Sequence, residues 1–312
     1  MTTDILHVAA AVVRDGNGRI LITQRAKHAH QGGLWEFPGG KLEAGETSQQ
    51  ALVRELREEV GIEVKTAQPL IKVRHDYGDR RVLLDVWSVD DFDGEAWGCE
   101  GQALQWIAPQ QLSDFAFPAA NLPIIKAALL PSYYGILEGN SVEQVLVRCQ
   151  QFLQAGVSLI QLRLKSLPIE SRQAVAEQVL VICQQRSVKL LLNSDLQLAD
   201  FQCDGVHLSS RTLQTCQQRP KGLVGASCHN LDELRLAEKL ALDFAVLAPI
   251  QPTTTHPDAH PLGWQQMQAL IEQVNLPVYA LGGLRLDDLE LALANGAQGL
   301  AGISTFLMEK SQ

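Results

Sequence analysis

The chain has 312 residues, 46% of them hydrophobic and 20% charged, with a formal net charge of −9; this is the balance of a folded globular protein long enough for two domains. The acidic balance excludes a general nucleic-acid or membrane-surface role, because polyanion binding needs clustered Lys and Arg, and it leaves room for a small anion held through a metal ion. Six cysteines form no CxxC pair, which reads as thiols in a reducing compartment, and no apolar run is long enough for a bilayer, so a cytoplasmic enzyme is expected.

In chain order, the first apolar run breaks at Arg14 and Asp15 and reads as a strand, not a signal peptide. Strands are predicted at 5–14, 20–24, 71–75 and 81–89, rich in β-branched residues and bounded by turns such as Asp15-Gly16-Asn17-Gly18. A helix over 48–60 has Thr47 or Ser48 to cap its start and Gly61 to end it. A second helix is predicted over 122–129, where Asn121 can serve as the cap before Leu122-Pro123. After Leu130-Pro131-Ser132 the texture changes. Apolar strands at 134–137, 159–164, 189–192, 205–208, 222–226, 244–247, 278–281 and 299–302 alternate with helices at 141–155, 171–185, 231–239, 264–273 and 286–295. Eight such strands predict a (β/α)8 barrel; a doubly wound open sheet is the alternative, since periodicity does not decide closure. Both expected domains, 1–130 and 131–312, are therefore α/β.

The first domain carries its chemistry on the predicted helix. Glu55, Glu58 and Glu59 are spaced i, i+3 and i+4, which puts three carboxylates on one helix face. They repel one another unless a cation sits among them, and hard oxygen ligands select Mg2+ or Mn2+. In Phe37-Pro38-Gly39-Gly40 the glycines let the main chain come close where a Cβ would obstruct. Glu46 and Arg54 read as an ion pair that fixes the loop against the helix. The run from Gly40 through Glu46, Arg54-Glu55-Leu56 and Glu58-Glu59 to Gly61-Ile62 matches the Nudix box, Gx5Ex7REUxEExGU with U apolar, at every fixed position. Such a site neutralises phosphate oxygens and activates water for attack on phosphorus, with no protein nucleophile.

Beyond the box, residues 5–127 resemble the MutT-type 8-oxo-dGTP diphosphatases. The matching stretches are Thr23-Gln24-Arg25-Ala26 with His30, Glu36-Phe37-Pro38-Gly39-Gly40-Lys41, Asp79-Arg80, Trp97-Gly98-Cys99-Glu100-Gly101-Gln102 and Phe117-Pro118-Ala119-Ala120-Asn121. The resemblance implies an α/β/α sandwich with a mixed sheet. It implies nucleotide contacts from Arg25, His30 and Arg80, a pocket wall from Glu36, Phe37, Pro38 and Gly39, and metal binding by the Gly39 carbonyl with Glu55, Glu58, Glu59 and Glu100. It also implies a catalytic role for those four carboxylates and a base-reading role for Asn121. Oxidation at C8 turns N7 of guanine from acceptor to donor, and an amide offers both kinds of partner.

The second domain, over about 133–307, resembles the thiamine phosphate synthases and their TenI-like tautomerase relatives. The motifs are Gln161-Leu162-Arg163-Leu164-Lys165, Leu192-Asn193-Ser194, Asp204-Gly205-Val206-His207-Leu208, Gly225-Ala226-Ser227-Cys228-His229, Pro252-Thr253-Thr254-Thr255 and Ala280-Leu281-Gly282-Gly283-Leu284. Each follows or spans a predicted strand, where barrel enzymes keep their sites. The resemblance implies a phosphate-bearing ligand near Gln161, Arg163, Lys165, Asn193, His229, Thr253, Thr255, Gly282 and Gly283. Three departures stand out. The synthase pattern has Asn-Asp where this chain has Asn193-Ser194, a metal-binding Asp in the stretch that here reads His207-Leu208-Ser209-Ser210-Arg211-Thr212, and Lys where His256 stands. The expected activity is hydrolysis of 8-oxo-dGTP to the monophosphate and pyrophosphate, a nucleotide-pool function serving replication fidelity. The alternatives are hydrolysis of a thiamine-related pyrophosphate, with the barrel as a thiazole tautomerase, or a barrel that senses a ligand and tunes the hydrolase. No nucleic-acid or membrane partner is expected.

Overall fold

The computed structural model of the chain describes residues 5–28, 30–253 and 260–307. The chain divides at Leu130/Pro131 into two compact units. No helix among the described residues is long and apolar enough to cross a membrane.

The first unit runs β1 (Ile5–Val13), β2 (Ile20–Gln24), β3 (Trp35–Glu36), β4 (Gly39–Lys41), α1 (Ser48–Val60), β5 (Glu63–Asp76), β6 (Arg81–Asp93), β7 (Leu104–Ile107) and α2 (Leu122–Leu129). A four-stranded sheet has the order β4-β1-β6-β5 and a three-stranded one the order β3-β2-β7. The larger sheet is mixed: β1 is parallel to β6 and antiparallel to β4. Alternation along β1 builds two cores, one per face. Ala9, Ala11 and Val13 pack with Leu52, Leu56 and Val60 of α1, whereas Ala10 and Val12 pack with Ile124 and Ala127 of α2. The two helices therefore cover opposite faces, giving the expected sandwich.

The helices and β2 occupy the predicted spans and β1 stops one residue short, but β5 and β6 run longer. β5 begins at Glu63 because pairing with β6 continues through register irregularities between Val64/Thr66, Thr66/Gln68 and Pro69/Ile71. Proline lacks the N–H for a regular ladder, and an irregularity absorbs it. The prediction at 71–75 covers only the stretch beyond Pro69.

The second unit runs β8 (Tyr133–Leu137), α3 (Val142–Gln154), β9 (Leu159–Leu162), α4 (Ile169–Gln185), β10 (Lys189–Asn193), β11 (Gly205–Leu208), α5 (Ser210–Thr215), β12 (Leu223–Cys228), α6 (Leu231–Lys239), β13 (Phe244–Leu247), α7 (Gly263–Ile271), β14 (Val278–Leu281), α8 (Leu289–Ala294) and β15 (Gly299–Gly302). Neighbouring strands pair in parallel around a closed ring. The closing pair is β15 with β8, through Leu300↔Tyr133 and Gly302↔Gly135, so the open-sheet alternative is set aside. Helix α5 was not predicted, since six residues carry too little periodicity to stand out.

Candidate active site

Helix α1 is the scaffold of the first site. Thr47 caps it in a reciprocal box with Gln50, and Gly61 ends it in the left-handed conformation at φ 71°. Ala51, Leu52, Leu56 and Val60 are buried, which turns Glu55, Glu58 and Glu59 away from the core. Arg54 ties the loop down as expected. It grips Glu46 with two bonds of 2.7 and 2.8 Å and reaches the Lys41 carbonyl at 3.0 Å. This fork, with the Glu43 N–H, holds the Glu46 carboxyl down to about 2. Arg54 also donates to Glu55 at 2.8 Å and Glu58 at 3.2 Å.

Glu59 differs from its neighbours. The Gly39 N–H donates to its carboxylate at 2.8 Å. Burial pushes its pKa up to about 8 against that hydrogen bond, with the charges of Glu36, Glu100 and Glu55 adding to the rise. Gly39 sits at φ 145°, and a Cβ there would fall 2.2 Å from the Ala9 carbonyl oxygen. A Cβ on Gly40 would lie 2.2 Å from the Glu55 carboxyl carbon. The loop bearing Glu100 docks on the end of α1: Gln102 donates to the Glu59 carbonyl at 2.8 Å, as does Cys99 N–H at 3.0 Å.

These residues fit a hard divalent cation. A half-buried carboxyl among three others, on a glycine backbone that keeps the space open, is the donor set such an ion needs. Among the described residues no three acidic, His or Cys side chains converge as a preformed metal nest. Arg54 instead draws Glu55 and Glu58 onto its guanidinium.

The expected nucleotide contacts lie on three segments. Arg25 is ion-paired with Glu36 and donates to the His30 carbonyl at 2.9 Å. Burial raises the Glu36 carboxyl to about 6 despite that partner. Phe37 is buried, stacked on Phe117 at 5.5 Å, and Pro38 is buried too, so this stretch offers backbone rather than a ring. His30 stands 3.8 Å from Asp79, and Arg80 is exposed beside the same carboxylate. Asn121 is buried but makes no side-chain cap. The capping alternative is thereby corrected: Asn121 has a helical backbone at φ −85° and ψ −14° rather than the extended one a capping side chain needs, and Pro123 removes one first-turn N–H. Sequence reasoning missed Tyr77, whose ring meets both His30 and His75.

In the second unit Gln161, Arg163, Lys165, Asn193, His229, Thr253 and Gly282 line a cavity of about 370 Å³. Gly283 lines an adjoining one of about 640 Å³ with Gly302 and Ser304. Thr255 lies outside the described residues. Each basic side chain is matched by an acid: Arg163 by Glu138, and Lys165 by Asp195 at 2.6 Å. His229 Nδ1 stands 2.8 Å from the Ala248 carbonyl, which makes it the donor and leaves Nε2 as acceptor.

Behind the cavity a hydrogen-bond chain crosses the barrel. Asn193 donates to Gln161 at 2.8 Å, Gln161 to the Tyr134 hydroxyl at 3.3 Å, and that hydroxyl meets His207 Nδ1 at 2.9 Å. His207 Nε2 then meets the Ser227 hydroxyl at 2.9 Å. Burial drives the imidazole down to about 3, with Arg163 adding to the effect. Ser194 donates to Thr212 at 3.0 Å. These two hydroxyls offer no anionic oxygen, and the nearby Asp195 is committed to Lys165 and to Ser209 at 2.8 Å. A magnesium-bound diphosphate does not fit this arrangement.

Comparison with known proteins agrees with both halves. A NUDIX domain model matches residues 9–127 and a thiamine monophosphate synthase model matches 133–306. An 8-oxo-dGTP diphosphatase of Escherichia coli (strain K12) is 44% identical over 120 residues, 93% of that protein and 38% of this chain. A CTP pyrophosphohydrolase of the same organism is 42% identical over 123 residues, 90% of its length and 39% of this chain. A putative thiamine-phosphate synthase 2 of Aquifex aeolicus (strain VF5) is 36% identical over 184 residues, 98% of its length and 57% of this chain. With the carboxylate helix, its glycine cradle and the closed barrel in place, the chain belongs to the Nudix hydrolases of phosphoanhydrides in its first unit and to the thiamine monophosphate synthase family in its second.

Proposed function

We propose that the first unit hydrolyses 8-oxo-dGTP to 8-oxo-dGMP and pyrophosphate. The observation that carries the reading is Glu59, half-buried and held by the Gly39 N–H among the carboxylates of Glu36, Glu55 and Glu100. Glu55, Glu58, Glu59, Glu100 and the Gly39 carbonyl would hold Mg2+, with Mn2+ as a substitute; the ion supplies charge neutralisation at the phosphate oxygens and acidifies the attacking water. The chain's own residues do the rest. Arg54 and Glu46 keep the glycine loop on the helix. Arg25, His30 and Arg80 bind the nucleotide, and the backbone of Glu36–Gly39 walls its pocket. Glu100, exposed beside Glu59, accepts a proton from water. Asn121 reads the oxidised purine edge; its burial supports this, because a misplaced hydrogen bond is costly where water is excluded. Net, one P–O bond breaks, one forms to water oxygen, and a proton is released.

The barrel is read as a metal-independent binder of a phosphate-bearing ligand. Its cation–carboxylate pairs and the acceptor nitrogen of His229 favour that over diphosphate chemistry. A nucleotide panel of 8-oxo-dGTP, dGTP and CTP with Mg2+, scored by kcat/KM and product, tests the first assignment. Equal efficiency on 8-oxo-dGTP and dGTP removes the sanitising function.

A further inference from the structure

The hydrogen-bond chain behind the barrel cavity has a direction, and one backbone group fixes it. The Asp195 N–H donates to Asn193 Oδ1 at 3.1 Å. A backbone N–H only donates, so the Asn193 carboxamide has one orientation, with its NH2 toward Gln161 at 2.8 Å. That NH2 also only donates. Gln161 therefore offers Oε1 to Asn193 and its own NH2 to the Tyr134 hydroxyl at 3.3 Å. The hydroxyl oxygen accepts there, and its proton goes to His207 Nδ1, 2.9 Å away. The opposite sense would leave the Tyr134 proton without an acceptor among the described residues, at a fully buried position where that is costly.

Burial keeps the His207 imidazole neutral, with one proton for two nitrogens. With Nδ1 as acceptor, that proton sits on Nε2 and is donated to Ser227 Oγ at 2.9 Å. Ser227 is half-buried in the cavity wall, and His207 is its one side-chain partner among the described residues. The serine's own proton is thus left for whatever fills the cavity. Gln161 and Asn193 line the same cavity, and each keeps a second N–H. The nearby cations Arg163 and Lys165 are already matched by Glu138 and Asp195. The wall therefore offers protons without unpaired charge.

We infer that His207 is a positioning residue: through it the chain sets Ser227 as a donor, and the barrel's ligand presents an uncharged lone-pair acceptor, a ring nitrogen or a carbonyl oxygen, to that wall. The ligand claim rests on the reading of a phosphate-bearing ligand above; the direction of the chain stands on the contacts alone.

Two measurements on the full chain test it. The first is the 15N spectrum of histidine-labelled protein, with the His207 signals assigned by their loss in His207→Gln. The Nε2–H tautomer with a bare Nδ1 is expected; the Nδ1–H tautomer overturns the direction of the chain. The second is the binding of matched phosphate esters that differ by one acceptor. The pyridylmethyl phosphates are set against benzyl phosphate for a ring nitrogen, and hydroxyacetone phosphate against isobutyl phosphate for a carbonyl. In one of the two pairs the acceptor-bearing ester binds about three- to tenfold tighter, the worth of one net hydrogen bond, and Ser227→Ala abolishes the difference. Tyr134→Phe keeps the ring against Phe244 and Tyr279 but removes the proton that holds Nδ1 as acceptor. It narrows the difference while benzyl phosphate binds as before; an equal loss for both esters makes the chain merely structural and overturns the positioning role. Equal binding within both pairs, or a difference that survives Ser227→Ala, overturns the ligand claim and leaves the phosphate reading standing. No binding by any ester, benzyl phosphate included, removes the phosphate reading and the ligand claim with it, and the tautomer still decides the direction of the chain.

Discussion

Glu59 is the residue on which the proposed chemistry turns. Its neighbours Glu55 and Glu58 are held by Arg54, whereas Glu59 is held by a backbone N–H and surrounded by like charge. Burial raises its pKa to about 8, so without a cation the group is mainly neutral at pH 7. Glu59→Gln keeps the shape and the neutrality and removes the anion a metal needs. Turnover is predicted to fall by about a thousandfold or more, with the melting temperature unchanged or slightly raised. Retained activity with Mg2+ contradicts the assignment. This residue was legible in the sequence because helical spacing alone puts Glu55, Glu58 and Glu59 on one face. Tyr77 was not, because its ring partner His30 lies 47 residues upstream, and no local pattern joins them.

At the scale of elements, β4 and α1 work as a pair. The Gly40 position faces the Glu55 carboxyl so closely that a Cβ would overlap it. The overlapped group is the end of a flexible side chain, so Gly40→Ala moves Glu55 without breaking the fold. The expected result is a rise of about tenfold in the Mg2+ concentration needed for half activity, read by metal titration, with stability lowered by about 1 kcal/mol or less; an unchanged metal dependence contradicts the fit. Helix α1 was predicted to the residue because Thr47, the apolar spacing and Gly61 each mark it locally. Strands β3 and β4 were not, since two or three residues become a strand only through partners on β2 and β1. The barrel's polar chain is an element-scale feature of the same kind, joining side chains from five strands. His207 stays neutral down to about 3 when folded, against 6.5 as its ordinary value. Between those values the unfolded chain binds the extra proton, so stability is full above about pH 6.5 and is lost as pH falls. The slope from this group is about 1.4 kcal/mol per pH unit. Urea unfolding of the wild type against His207→Gln reads it: the two curves converge toward acid, whereas parallel curves contradict a buried neutral imidazole.

Over the whole molecule, two family folds stand in one chain, each with its own core. The first unit keeps every fixed position of its box. The second keeps the closed ring and the cavity at the strand ends, while hydroxyls of Ser194 and Thr212 bond to each other beside it. The eightfold alternation was legible because each strand is a local apolar run; closure was not, because it depends on β15 pairing with β8. The same division holds for substrate. The triad on α1 speaks to any phosphoanhydride, and relatives of the first unit include both an 8-oxo-dGTP diphosphatase and a CTP pyrophosphohydrolase. In the function proposed above, selectivity rests on Asn121 and the segments around it. The most direct test is steady-state kcat/KM of the full chain with Mg2+ on 8-oxo-dGTP and dGTP, with the products identified. The account predicts an advantage of about a hundredfold or more for 8-oxo-dGTP, yielding 8-oxo-dGMP and pyrophosphate; equal efficiency on the two nucleotides contradicts it.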